Sequence, residues 1–97
     1  MKAYELPFFV APSIDEETRA AVMKRIETTI AEGEGTIDNV DNWGKRKLAY
    51  EINGLTDGDY TLIDFHADPA NVAELDRILR INDAVARHMI VKRPDRD

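Results

Sequence analysis

A chain of 97 residues, 43% apolar and 33% charged, has the composition of a soluble folded protein and is too short for two cores, so residues 1–97 are predicted to form a single domain. It contains no cysteine, which excludes disulfides, thiolate metal sites and a cysteine nucleophile. No apolar run approaches the roughly 20 residues of a membrane span, and the N-terminus lacks the apolar core of a signal peptide. A cytoplasmic protein is therefore expected.

Charge is distributed unevenly along the chain. The formal net charge of −6 argues against a free-standing nucleic-acid binder, because affinity for phosphates normally requires a basic surface. Residues 1–44 carry four cations and nine anions, whereas residues 77–97 carry six cations and three anions. This asymmetry is typical of a polar molecule with one basic end.

The first part of the chain predicts a strand followed by a helix. Residues 3–11 alternate apolar and polar side chains, which indicates a strand with one core face, although Pro7 removes a hydrogen-bond donor from it. Ser13 is expected to cap a helix over residues 14–32, helped by the glutamate three positions on, and Gly33 ends the helix. Its predicted apolar stripe comprises Val22, Ile26 and Ile30, with Thr18, Ala21 and Thr29 beside them.

A long second strand is predicted from Thr36 to Ile52. Its alternation slips between Ile37 and Val40, which predicts a bulge or twist ahead of Gly44. Three consecutive cations then lead into an alternating run with one apolar face. The cations are Lys45, Arg46 and Lys47, and the apolar face carries Leu48, Tyr50 and Ile52. These cations are either a solvated strand end or a phosphate-facing edge beside a core strand, and the sequence leaves both interpretations open.

A turn, a third strand and a second helix are predicted next. Residues 53–59 contain the turn-forming Asp57-Gly58 pair, and residues 60–67 alternate as a strand. Asp68 or Asn71 is expected to cap the helix, with a proline in its first turn. Its apolar stripe comprises Val72, Leu75, Ile78 and Leu79.

The last strand completes the predicted fold. Residues 84–92 alternate, with Val85, Met89 and Val91 expected to face the core and His88, Ile90 and Lys92 to face away. The order β-α-β-β-α-β, with one apolar stripe on each helix, predicts an α+β fold of two layers. We expect a ferredoxin-like split βαβ sandwich, in which two helices cover one face of an antiparallel four-stranded sheet.

This sandwich would have one buried core and one open sheet face. The core is expected to contain Ile26, Leu48, Tyr50, Leu75, Leu79 and Met89. The open face is expected to show Pro7, Phe9, Tyr60, Leu62, His66 and Ile90. An apolar-rich exposed face commonly marks a binding surface, while scattered surface apolar residues are the competing interpretation.

Side chains that could carry catalysis or hold a metal are not arranged to do so. His66 and His88 lack metal-ligand spacing and are expected to decorate the open sheet face. The Gly-rich stretch follows a helix instead of a strand, so it is not a phosphate loop. Phe9 and Tyr60 could offer stacking surfaces, but no Lys/Arg-Gly-Phe-like run of an RNA-recognition motif is present, so base-specific reading is not expected. We expect no enzymatic activity, metal, cofactor or small-molecule substrate.

Segments spaced along nearly the whole chain carry a family resemblance. They are Tyr4 with Glu5, residues 8–12, Gly44 with residues 46–50, Gly58 with Tyr60, residues 79–83, Val85, Arg87 and residues 89–92. In this order they resemble the bacterial small-subunit ribosomal protein S-six family. The chain departs from the family pattern at Pro7 and in a short tail, where some relatives have a longer acidic one.

The resemblance implies a ferredoxin-like fold and a structural place in the platform of the small ribosomal subunit. It also implies binding to the central domain of the small-subunit ribosomal RNA, as a heterodimer with ribosomal protein eighteen of the small subunit. An acidic chain can join an RNA particle in this way, because a basic partner shares the interface.

On this reading a few cations would meet phosphates and the open face would meet the partner. The RNA-binding candidates are Arg46, Arg80, Arg87, Lys92 and Arg93, with Lys45 and Lys47 as further candidates. The protein-partner candidates are Phe9, Tyr60, Leu62 and Ile90. Each cation could instead be solvated or held in an internal salt bridge. The alternative function is a ferredoxin-like regulatory or ligand-sensing domain that dimerises through its open sheet face.

Overall fold

The computed structural model describes the backbone of residues 1–11, 13–52 and 55–96, and the side chains of residues 1–11, 13–47 and 57–96. The elements are β1 (Lys2–Val10), α1 (Glu16–Glu32), β2 (Thr36–Ile52), β3 (Leu55–Ala67), α2 (Pro69–Arg80), β4 (Val85–His88) and β5 (Val91–Lys92), followed by a 3-10 turn at Pro94–Arg96. The strands form one antiparallel sheet in the order β2-β3-β1-β4, and β5 also pairs with β1. The predicted ferredoxin-like arrangement is confirmed.

The core lies between one face of the sheet and both helices. Ile26, Leu75 and Leu79 are buried in it, as predicted. The other members of the core cluster are Tyr4, Leu6, Phe8, Val10, Val22, Ile30, Ile63, Phe65 and Ala67. Leu48 and Tyr50, also predicted for the core, lie outside the described side chains. Alternate residues of the central strands β1 and β3 therefore point at the helices, because strand side chains alternate between the two faces.

Helix α1 begins later than predicted. Its N-cap is Asp15 and not Ser13, because the Asp15 carboxylate accepts a 2.8 Å hydrogen bond from the backbone N–H of Thr18. Upstream of it, the N–H of Ile14 donates to the carbonyl oxygen of Ala11, which makes a turn. Helix α2 follows the prediction, since Asp68 is its N-cap and a proline occupies its first turn.

The β2–β3 hairpin is longer than predicted. Residues 55–59 belong to β3 and not to a turn, since Asp57 and Gly58 pair with Lys47 and Arg46 of β2. An added Cβ at Gly58 would lie 3.2 Å from the Cβ of Phe9, so a side chain there would require Phe9 to shift by a few tenths of an ångström. The Asp57-Gly58 pair therefore marks close cross-strand packing.

The predicted slip in β2 is confirmed, and the part of β2 before Lys47 has two bulges. The register shifts between Ile37 and Asn39 and again between Asn42 and Gly44. Gly44 has φ +73°, a conformation that glycine adopts without strain. Each bulge inserts one residue and so re-aims the side chains beyond it.

The orientation predicted for the end of the chain is wrong after Val85. Met89 is 51% exposed, and Ile90 packs against the core. The reason is a bulge: Val85 pairs with Val10, but Arg87 pairs with Phe9, so Ala86 is an extra residue that reverses the alternation. His88 and Lys92 pair with Phe8 and Tyr4, which face the helices, so both lie on the helix side and His88 is not on the open face.

Pro7 explains why the last strand is split into β4 and β5. The N–H of Met89 donates to the carbonyl oxygen of Pro7 over 3.1 Å. Opposed residues of an antiparallel pair normally exchange two hydrogen bonds, but proline has no N–H to return the second one. The ladder is therefore interrupted at Met89 and Ile90, between the two short strands.

A polar contact ties α2 to this interrupted edge. Nε2 of His88 lies 2.8 Å from Oδ1 of Asp76, and Arg80 donates to the other carboxylate oxygen. The hydrogen bonds from His88 and then from Arg80 lower the pKa of the Asp76 carboxyl below its ordinary value of 3.8, outweighing partial desolvation.

Truncating Leu79 and truncating Met89 should change the free energy of unfolding by different amounts, because only Leu79 is buried in the core. We expect Leu79→Ala to lower the free energy of unfolding by about 2–5 kcal/mol, because it leaves a cavity in the core. Met89→Ala, a similar truncation on the exposed face, should change it by less than about 0.5 kcal/mol. Urea unfolding of both variants measures this. Equal losses in the free energy of unfolding would indicate that Met89 belongs to the core.

The Asp76 contact should appear in acid unfolding. A carboxyl whose folded-state pKa is depressed stabilises the fold above its unfolded pKa, and that contribution is lost as the pH falls through the folded value. We expect Asp76→Asn to lower the free energy of unfolding at pH 6, and the difference from the wild type to shrink as the pH falls below the ordinary carboxyl pKa of about 4. Urea titrations at several pH values measure it, with Glu27→Gln on the exposed face of α1 as control. A difference independent of pH would contradict the assignment.

Candidate partner and RNA interface

The open face of the sheet is the face turned away from the helices, and its half-buried and exposed residues divide into two regions. We call the first the apolar patch: Pro7, Phe9, Trp43, Tyr60, Leu62 and Met89. We call the second the acidic patch: Glu5, Asp38 and Asp64. The cross-strand pairs Phe9–Tyr60, Pro7–Leu62 and Glu5–Asp64 show that the two regions are consecutive rows of one surface.

Three aromatic rings form a row across the apolar patch. The ring centroids of Phe9 and Tyr60 are 5.9 Å apart, and those of Trp43 and Tyr60 are 5.0 Å apart. The bulge before Gly44 brings Trp43 to this row, since Gly44 itself pairs with Tyr60. Trp43 is 45% exposed, and its indole N–H donates to Asp41 over 2.8 Å. A large ring fixed in this way offers solvent a rigid apolar surface.

Carboxylates lie close to the aromatic row of the apolar patch. The pKa of the Tyr60 phenol is raised, first by burial and then by the charge of Glu5. Asp41 lies at the Trp43 end of the same row. Polar groups of negative charge thus border the rings on the side of the acidic patch, which favours a cationic partner over a polyanion at this position.

Arg46 is distinguished from its two neighbours by the register of the hairpin. Lys45 pairs with Asp59 and Lys47 with Asp57, whereas Arg46 pairs with Gly58. The Arg46 guanidinium carbon lies 5.8 Å from the centroid of Trp43, a cation–π distance. Arg46 therefore borders the apolar patch, while the lysines stand opposite carboxylates.

The structure brings together three of the four predicted partner residues. Phe9, Tyr60 and Leu62 belong to the apolar patch, but Ile90 packs on the helix side for the reason given above. Sequence reasoning missed Trp43 and Met89. The glycine directly after Trp43 was the available signal for a bulge, whereas nothing in the local sequence marks the bulge that exposes Met89.

The predicted RNA-binding cations fall in three places. Arg80, Arg87 and Lys92 lie along the edge formed by β4, β5 and the end of α2, which we call the basic edge. Arg46 lies on β2, the opposite edge of the sheet. Arg93 is held by Glu5 at 3.6 Å and by Asp95 at 3.4 Å.

Within the basic edge, Asp76 connects two of the cations. The Arg80 side chain is 70% exposed and ion-paired with Asp76. Lys92 and Asp76 line the same surface cleft, of about 410 Å³, between α2 and β5. Arg87 belongs to the other face of β4, opposite Phe9. Cations on both faces of one short edge strand can reach phosphates on either side of it.

The described residues also bear on two other functions, metal binding and the crossing of a membrane. No three His, Cys, Asp or Glu side chains converge there as ligands for a metal ion. His66 and His88 each contact a carboxylate, Asp38 at 2.5 Å and Asp76 at 2.8 Å. Neither described helix has the length and hydropathy that crossing a membrane would require.

Known proteins share both this sequence and this fold. Residues 3–92 match the family model described as Ribosomal protein S6. The small ribosomal subunit protein bS6 of Clostridium beijerinckii is 53% identical over 91 residues, covering 94% of this chain and 96% of that protein. The crystal structure of 30S ribosomal protein S6 from Thermotoga maritima superposes with a TM-score of 0.89 at 38% identity, covering 97% of this chain and 89% of that one.

A more distant structure shares the fold alone. The C-terminal domain of the MgtC protein from Mycobacterium tuberculosis superposes with a TM-score of 0.65 but is only 11% identical. The family model and the relatives, in contrast, agree in sequence over nearly the full length. The resemblance seen in the sequence is confirmed, and the chain belongs to the ribosomal protein S6 family of the small ribosomal subunit.

Proposed function

We propose that this chain is a non-catalytic, ribosome-associated assembly protein that binds the central domain of the small-subunit ribosomal RNA together with ribosomal protein eighteen. The observation that carries the proposal is the apolar patch, whose aromatic row lies on the open face with Phe9 and Tyr60 half-buried and Trp43 exposed. Family membership supports a place in the small subunit. The binding of RNA and of protein eighteen is the proposed step.

The apolar patch supports binding of a protein partner. Clustered aromatic rings near the centre of a polar-rimmed surface are the residues on which binding energy usually concentrates. Here Trp43 and Tyr60 are held in place by packing and by the Trp43–Asp41 hydrogen bond, so little side-chain freedom is lost on binding. Leu62 occupies the next row. Protein eighteen would cover this surface and desolvate it.

The charge distribution supports RNA binding that depends on the partner. At −6 the long-range field of the chain repels phosphates, so diffuse attraction cannot hold it on RNA. The basic edge can add a few local contacts through Arg80, Arg87 and Lys92. A cationic partner would then release most of the counterions. We expect weak binding to the central-domain RNA by this chain alone and tight binding together with protein eighteen.

The runner-up, a sensing domain that dimerises through its open face, predicts a different solution state. Light scattering of the purified chain separates the two, since a stable dimer that binds a metabolite fits only the runner-up. Co-sedimentation with small ribosomal subunits in high salt fits only the ribosomal function.

A charge placed in the apolar patch should abolish binding of the partner. We expect Leu62→Asp to leave a cooperative thermal transition but to weaken binding of protein eighteen roughly thirtyfold or more, because it places a carboxylate in a desolvated interface. Ile81→Asp is the matched control, since Ile81 is 66% exposed and follows α2, away from the patch. Calorimetric titration measures both variants. Equal binding by both, or unfolding of Leu62→Asp, would remove Leu62 from the partner surface.

The contribution of the basic edge should be small and measurable by salt dependence. We expect Arg80→Ala with Lys92→Ala to weaken the complex of RNA, protein eighteen and this chain, and to flatten the slope of log affinity against log salt by at most about two phosphate contacts. Lys24→Ala with Arg77→Ala, which removes the same charge from the helices, is the control. Filter binding across a salt series decides between them. An unchanged slope in the first variant, or tight RNA binding by this chain alone, would contradict the proposal.

A further inference from the structure

The acidic patch is covered by the chain itself. The 3-10 turn at Pro94–Arg96 lies against β1 on the open face, and Nη1 of Arg96 is 2.8 Å from Asp64 and 3.4 Å from Glu5. Nη1 of Arg93 lies 3.6 Å from the other Glu5 oxygen. Two guanidinium groups of the same segment thus neutralise two carboxylates that stand next to the apolar patch.

The backbone of this segment is attached at both ends. The N–H of Arg93 donates to the carbonyl oxygen of Ala3 over 2.8 Å. Nε2 of His66 lies 3.2 Å from the carbonyl oxygen of Arg96, while Nδ1 of His66 lies 2.5 Å from Asp38. The imidazole therefore bridges the segment to β2. We call residues 93–96 the strap.

The strap is held by contacts that give way easily. The Arg96 and Arg93 side chains are 40% and 34% exposed, so water and salt screen their ion pairs. The residues of the strap lie outside the strands, and the N–H of Arg93 donates to the carbonyl oxygen of Ala3. A segment of this kind can open locally without unfolding the sandwich.

We propose that the strap regulates the partner surface: closed, it confines that surface to the apolar patch, and a cationic segment of the partner displaces it to reach Glu5 and Asp64. This inference rests on the proposed function, because it adds regulation to the same face. In this chain, the carboxylates of Glu5 and Asp64 already bind guanidinium groups. A cationic side chain of the partner therefore has the chemistry needed to replace them. The partner must bring arginine or lysine for the exchange to be balanced in charge.

The strap and the cationic segment of the partner compete for the same carboxylates, Glu5 and Asp64. A partner that needs the open strap binds with an affinity reduced by the fraction of molecules in which the strap is open. Removing Arg96 raises that fraction and also leaves Asp64 uncompensated. Both effects favour a cationic partner on the acidic patch, whereas a partner confined to the apolar patch would gain nothing local from the change.

The test compares two arginine variants of equal charge. Arg96→Ala removes the ion pairs of the strap with Asp64 and with one oxygen of Glu5, which weakens its closed state. Arg77→Ala, which breaks the exposed Arg77–Glu74 pair of α2, changes the net charge equally on the other layer. We expect Arg96→Ala to bind protein eighteen about twofold to fivefold more tightly than Arg77→Ala does in calorimetric titration. Adding Asp64→Asn to Arg96→Ala should remove the gain. Equal affinities, or weaker binding by Arg96→Ala, would overturn the regulatory role.

A second probe separates this inference from the proposed function. Titration with a hexa-arginine peptide, followed by NMR, does not require protein eighteen to be the partner. We expect Arg96→Ala to bind the peptide more tightly than Arg77→Ala, with shifts centred on Glu5 and Asp64. If protein eighteen fails to bind any variant but the peptide behaves as expected, the regulatory role of the strap is supported. In that case, the proposed partner is wrong. If the peptide does not distinguish the variants, the strap proposal fails whatever protein eighteen does.

Discussion

The packing of β1 against both helices is the constraint on which the rest of the structure depends. Tyr4, Leu6, Phe8 and Val10 form one continuous buried row on the helix side of this strand. The strand pairs with β3 on one side and with β4 and β5 on the other. Since side chains alternate, burying this row forces Glu5, Pro7 and Phe9 onto the open face. The rows of the partner surface are thereby aligned by the core.

Three bulges then decide what the open face presents. Those in β2 bring Asp38 to His66 and Trp43 to Tyr60, and the one opposite Phe9 and Val10 turns Met89 outward. In each case one extra residue reverses or re-aims the alternation of a strand. The regular strands β1 and β3 supply most residues of the apolar and acidic patches, and the bulges add Trp43, Met89 and Asp38 to them. A regular sheet with the same residues would bury Met89 and expose Ile90.

Charge is handled locally in spite of the acidic total. Lys45 and Lys47 stand opposite carboxylates in the hairpin, and Arg93 and Arg96 lie on the acidic patch. The ion pairs of Arg93 and Arg96 near the surface contribute little to stability, but they occupy these two cations. Lys45 and Lys47 are only cross-strand neighbours of carboxylates, and Asp59 is ion-paired with Arg19. Arg46 remains beside the apolar patch. Of the predicted RNA-binding cations on the basic edge, Arg80 and Lys92 lie on the helix side, and Arg87 shares the open face with the apolar patch.

The order of elements, most of both helix stripes, the long β2 with its bulge, and the family were determined by the sequence alone. They could be predicted because periodicity, capping residues and spaced family segments are local signals that packing reinforces. Thr18 and Ala21, also predicted for the α1 stripe, are exposed. The position of Phe9, Tyr60 and Leu62 on the open face followed from alternation in the two regular central strands.

The tertiary structure alone decided the orientation of His88, Met89 and Ile90, the position of Trp43, and the pairing of Arg93. The parity of the last strand depends on one extra residue, Ala86, whose insertion is visible only in the register against β1. Whether a cation forms an ion pair within the chain depends on which carboxylate a distant strand places opposite it. These are contacts between residues far apart in sequence, and no local pattern encodes them.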